Sequence, residues 1–90
     1  MLCIHPKNII EMRILQEFAI SPQIKGSLFS WNGKFILKAE WGGLEQVFKV
    51  SETDVSGQDE VLSWAKSEAF AQKLETTFAE MDEQLDLLFN

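Results

Sequence analysis

The chain has 90 residues, 46% of them hydrophobic, with seven Phe, three Trp and a net charge of −6. That is enough apolar mass for one domain with a single modest core, and no apolar run approaches the roughly 18 residues that cross a bilayer. A lone cysteine excludes an internal disulfide. The first residues lack the basic lead and apolar stretch of a secretory signal, so the cytoplasm is the expected compartment and no membrane association is predicted.

The charge is lopsided. Residues 1–50 carry six basic groups against four acidic ones, whereas residues 51–90 set Lys66 and Lys73 against ten acids. Nucleic-acid affinity comes largely from neutralising phosphates, so direct DNA or RNA binding is not expected. A basic protein surface is the better match for the acidic half.

Asn8 and Glu11 make a weak capping box, and Ile10, Ile14 and Phe18 follow at four-residue spacing. Together they predict a helix over about residues 8–19, ended by Ser21-Pro22 because the residue before proline avoids the helical region. A strand through the β-branched Ile9, Ile10 and Ile14 is the alternative.

Residues 24–51 read as a three-stranded antiparallel meander, with strands at about 24–31, 34–41 and 44–51. Asn32-Gly33 is a strong two-residue hairpin signal, and Gly42-Gly43 can serve the second hairpin in the same way. Two-residue turns fix the register: Trp31 faces Lys34, Lys25 faces Glu40, Trp41 faces Leu44, and Lys34 faces Ser51. One face then gathers Leu28, Phe35, Leu37, Ala39, Trp41, Leu44, Phe48 and Val50, a core face. Glu40 opposes Glu45, a repulsion that nearby Lys38 softens.

The other face is half polar but holds a small apolar cluster, Phe29, Trp31 and Ile36. The expectation is that the first helix covers it with Ile10, Ile14 and Phe18. The functional alternative is an exposed docking patch.

After an acidic loop over residues 51–58, Asp59 reads as an N-cap. One long helix is predicted over about 59–88, with Trp64, Ala71, Leu74, Phe78, Met81, Leu85 and Leu88 in one heptad frame broken only by Ser67. A helix of this length spans about 46 Å, against about 27 Å for an eight-residue strand. Its last turns must therefore leave the sheet, to meet the first helix, a second copy in a homodimer, a partner protein, or nothing.

No catalytic, cofactor or metal site emerges. Cys3 and His5 are too few for a tetrahedral zinc site, and a Cys–His dyad would need oxyanion donors that nothing supplies. Asp54, Ser56, Gln58 and Glu60 alternate like calcium ligands, but the glycine, Gly57, falls at the fourth place rather than the sixth, and Ala65 stands at the twelfth instead of glutamate. The five glycines are spaced as turn residues and form no phosphate cradle.

The order helix–three strands–helix is similar to that of the double-stranded-RNA-binding domain, although the acidic second helix lacks a basic start. A more specific signal is Gln84-Leu85-Asp86-Leu87-Leu88-Phe89. It resembles the short peptide by which bacterial replication and repair proteins dock on the DNA polymerase sliding clamp. That pattern has glutamine first, leucines second and fourth, and phenylalanine last. The resemblance implies that Gln84 hydrogen-bonds at the mouth of the pocket, Leu85 supports it, and Leu87 and Phe89 fill an apolar cleft.

The heptad stripe explains Leu85 and Leu88. It leaves Leu87 on the opposite side and Phe89 at the edge, whereas Leu85, Leu87 and Phe89 alternate as in an extended docked peptide. A segment at the end of the chain can also peel away at little cost.

The sequence therefore predicts an α+β domain that acts through protein contacts and is not an enzyme. The first reading is a bacterial or phage-type accessory protein on the sliding clamp, modulating replication or repair. The second is an acidic oligomeric interaction or inhibitor protein, of immunity or anti-defence type, covering a basic partner surface.

Overall fold

The computed structural model describes residues 12–89. It is an α+β fold in two layers, a four-stranded antiparallel meander in the order β1-β2-β3-β4 with two helices on one face. The strands are β1 (Arg13–Ala19), β2 (Lys25–Trp31), β3 (Lys34–Trp41) and β4 (Leu44–Ser51). A 3-10 turn at Glu52–Asp54 leads to α1 (Gln58–Ala65) and α2 (Glu68–Phe89).

The two hairpins match the expected register. Trp31 faces Lys34 and Lys25 faces Glu40 in the first; Trp41 faces Leu44 and Lys34 faces Ser51 in the second. Asn32 and Gly33 both hold positive φ, 54° and 76°, which is the type I′ turn that suits the twist of the flanking strands. In the second hairpin Gly42 alone has positive φ, the pattern of a type II′ turn rather than a second I′.

The expected first helix is absent over its described part. Residues 13–19 form β1, paired along β2 from Arg13–Ser30 to Ala19–Lys25, so the element order of the RNA-binding domain is not met. The four-residue spacing of Ile14 and Phe18 has another origin. A β-bulge between Ile14 and Gln16 inserts one extra residue, which switches the phase of the strand. Ile14 therefore lies opposite Phe29 on one sheet face, and Phe18 lies opposite Gly26 on the other. Gly26 is glycine for a steric reason: a Cβ there would sit 2.9 Å from the Phe18 ring.

The single long helix is also corrected: it is two helices. Its start is capped by Gly57, one residue before Gln58, and Asp59 lies in the first turn. It breaks at Lys66-Ser67, where the heptad frame has its gap. Ser67 N-caps α2: its Oγ accepts the Phe70 N–H at 3.2 Å and its carbonyl accepts the Ala71 N–H. The same hydroxyl donates to the Trp64 carbonyl at 2.8 Å, tying the end of α1 to the start of α2.

The core lies between the helices and the face carrying Leu28, Phe35, Leu37 and Ala39. Val61, Leu62 and Ala65 reach it from α1, and Phe70, Leu74 and Phe78 from α2. Aromatic edges lock the layers: Phe48 meets Trp64 and Phe70 at 5.6 and 5.4 Å, and Trp41 meets Phe78 at 6.0 Å. Such pairs contribute about 0.5–1.5 kcal/mol each beyond area burial. Over β1, the Lys66 ammonium sits 5.3 Å from the Phe18 ring, a cation–π contact that links the edge strand to the helix corner.

Candidate functional site

Among the described residues, two surfaces outside the helix–sheet core carry exposed apolar side chains. The first is the end of α2. This helix crosses the β3–β4 turn, where the Gln46 amide donates to the Met81 sulfur at 3.2 Å. Beyond Met81 every described residue is exposed. Asp82, Gln84 and Leu85 still line hollows with the β3–β4 turn residues Gly42–Glu45, so only the last turn, Asp86–Phe89, runs clear of the sheet, about 6 Å of helix.

The sequence-derived docking residues all lie on this end of α2. Gln84 is exposed, Leu85 is 43% exposed, and Leu87 and Phe89 reach 78% and 79%. The segment is helical, neither packed nor extended. One consequence is that the helix does not bring the four residues into one row. Leu85 and Phe89 lie one turn apart on the stripe, while Leu87 points away from them. Leu88, at 75% exposure, joins Leu85 and Phe89 as the uncovered continuation of the buried stripe.

The electrostatics of this end are one-sided. Asp82, Glu83 and Asp86 occupy the last turns and no basic residue does. Asp86, in the last turn, opposes the macrodipole at a cost of about 0.3–1 kcal/mol, and Asp82 and Glu83 add to the negative field. The overhang is therefore a weak piece of helix with an apolar stripe and a negative field.

The second surface is the sheet face away from the helices. Phe29, Trp31 and Ile36 do come together there, with Met12, Val47, Lys38 and Lys49 around a shallow depression. The register places Ile14, Phe29, Ile36 and Lys49 in one row across all four strands. No helix among the described residues packs on this face, contrary to the expected cover. Ile14 is part of the patch rather than its lid, Phe18 belongs to the core side, and Ile10 lies outside the described residues. Met12, Ile14 and Val47, 39%, 49% and 46% exposed, escaped the sequence reading. For Ile14 the hidden signal was the bulge; for Val47 it was simply its place two residues from Lys49 on the polar side.

A third hollow, lined by Trp41, Gly42, Gly43, Leu44, Phe78, Ala79 and Asp82, lies where α2 leaves the sheet. Asp82 is its sole ionisable lining group among the described residues. No group of His, Cys, Asp or Glu among the described residues could hold a metal ion, and Cys3 and His5 lie outside them. No helix among the described residues is long and apolar enough to cross a membrane.

Among the described residues, fold and surfaces define a small meander sheet backed by helices, with two partly exposed apolar surfaces of contrasting charge. The chain matches no protein-family model, no curated protein and no solved structure.

Proposed function

We propose that the protein is a non-catalytic docking module that engages a protein partner through Gln84–Phe89, and that this partner is the bacterial sliding clamp. The observation that carries the reading is the exposure of Leu87 and Phe89. Neither is needed to cover the core, and Leu87 has no place on the packing stripe. The four anchor positions of the clamp-binding pattern coincide with residues that the fold leaves unused.

The helical state of the segment is compatible with an extended bound form. Its side chains are exposed, and Asp86 disfavours the helix end, so unwinding the last turns loses little. On the clamp, Leu85, Leu87 and Phe89 would alternate along a groove and Gln84 would hydrogen-bond at its rim. The protein would act in the cytoplasm of a bacterial or phage-infected cell, modulating replication or repair by occupying a shared pocket.

The test is a calorimetric titration of purified clamp with the wild-type chain and with Leu87→Ala/Phe89→Ala. Saturable binding by the wild type, lost in the double variant, supports the reading. Absence of wild-type binding removes it.

A second reading is favoured by the acids at the end of α2. They suit an inhibitor that covers a basic partner site, with affinity that falls steeply as salt rises and does not depend on Phe89.

A further inference from the structure

The two apolar surfaces are, among the described residues, complementary to each other. The open sheet face is apolar at its centre, through Ile14, Phe29 and Val47, and basic at its border. On this face Lys38 is engaged with Glu40 and Glu45, whereas Lys34 and Lys49 have no carboxylate within 4.0 Å among the described residues. The end of α2 offers the reverse: Leu85, Leu88 and Phe89 on one side, with Asp82, Glu83 and Asp86 and no base in the last turn.

We propose that the open sheet face receives the α2 end of a second copy of this chain. A molecule cannot satisfy itself this way, because α2 packs on the opposite side of its own sheet. A helix is about 10 Å across and strands lie about 4.8 Å apart. One helix end therefore covers two to three strands, the width of the apolar row Ile14–Phe29–Ile36, in which Ile14 is exposed, Phe29 half-buried and Ile36 buried, with Val47 exposed beside it.

Charge decides between this arrangement and pairing of two α2 ends. Tail against tail would bring two acidic ends together, and the like charges disfavour it. Tail against sheet sets those acids beside Lys34 and Lys49. Copies that exchange tails reciprocally form a closed dimer with two equivalent contacts.

This inference does not rest on the clamp reading. It uses Leu88, which the clamp pattern leaves unspecified, and Val47, Lys34 and Lys49, which lie on the other side of the molecule. Both proposals draw on Phe89, so self-association and partner docking compete for one segment.

The experiment is sedimentation velocity on the full chain over a concentration series at low salt. The variants are Leu88→Glu on the tail and Val47→Glu/Lys49→Glu on the face, each checked for an unchanged circular dichroism spectrum. The expected result is a concentration-dependent dimer that raised salt loosens and that either variant weakens by about tenfold or more. Mixing the two variants restores one of the two contacts, so a 1:1 heterodimer weaker than the wild-type dimer forms in preference to either variant's homodimer. A wild type that stays monomeric throughout overturns the proposal. So does a dimer lost with Leu88→Glu but intact in Val47→Glu/Lys49→Glu, the pattern of tail–tail pairing. Clamp binding that survives Val47→Glu/Lys49→Glu separates this outcome from that of the clamp reading.

Discussion

Phe78 and Phe89 share one stripe of α2, three turns apart, yet Phe78 is 1% exposed and Phe89 is 79% exposed. The first is clamped against Trp41; the second has no neighbour among the described residues that covers it. Stability and docking are thus carried by different turns of the same helix. Phe78→Ala is expected to cost about 3–5 kcal/mol in a urea-unfolding series. Phe89→Ala should stay within about 0.5 kcal/mol of wild type.

Ser67 makes a sharper test of the helix break than any core residue. Its hydroxyl caps the Phe70 N–H and also donates to the Trp64 carbonyl. Ser67→Ala should therefore lower stability by about 1 kcal/mol, with faster amide exchange at Phe70 and its neighbours. Ser67→Asp, which keeps the cap acceptor and adds negative charge at a helix start, should recover most of the loss.

These two positions also show what the sequence disclosed. The registers of β2, β3 and β4 were legible because Asn32-Gly33 and Gly42-Gly43 permit tight two-residue turns, and period-two patterning then leaves one answer. The break at Ser67 was visible as the missing heptad residue but was read through as one helix. β1 was illegible for a definite reason. Its bulge splits Ile14 and Phe18 onto opposite faces, and spacing of four residues without alternation imitates a helix. The cluster of Phe29, Trp31 and Ile36 was legible from the register, but not that no helix among the described residues packs on it, nor that Ile36 is buried with Phe29 and Trp31 half-buried.

Glu60 gives the fold an acid-sensitive point. The Ser56 backbone N–H at 2.7 Å, and then its hydroxyl at 3.0 Å, donate to the Glu60 carboxylate and hold its pKa below the usual 4.5. A depressed folded-state pKa means stabilisation that is present above the unfolded-state value and is lost as pH falls through the folded-state one. The urea midpoints of wild type and Glu60→Gln should differ at neutral pH. They should converge as pH drops below 4.5, in the range where Glu60 takes up its proton.

Lys38 resolves the one unfavourable pairing in the sheet. Glu40 faces Glu45 across β3 and β4, and the Lys38 ammonium lies 3.9 Å from a carboxylate oxygen of each. All three side chains are at least a third exposed, so solvent screens the effect. Lys38→Met should destabilise by no more than about 1 kcal/mol. Thermal scans at rising salt should erase the difference.

Docking through Gln84–Phe89 must change the last turns of α2 when a clamp is present. Amide and Cα chemical shifts of the labelled chain, followed during addition of a purified bacterial sliding clamp, report both the location and the conformation of the contact. The predicted result is perturbation centred on Gln84–Phe89 with loss of the helical Cα signature there, while Phe70–Phe78 stay unchanged. Shifts that do not move with clamp in excess, or that move at Phe29, Trp31 and Ile36 while the α2 end stays helical, would contradict it.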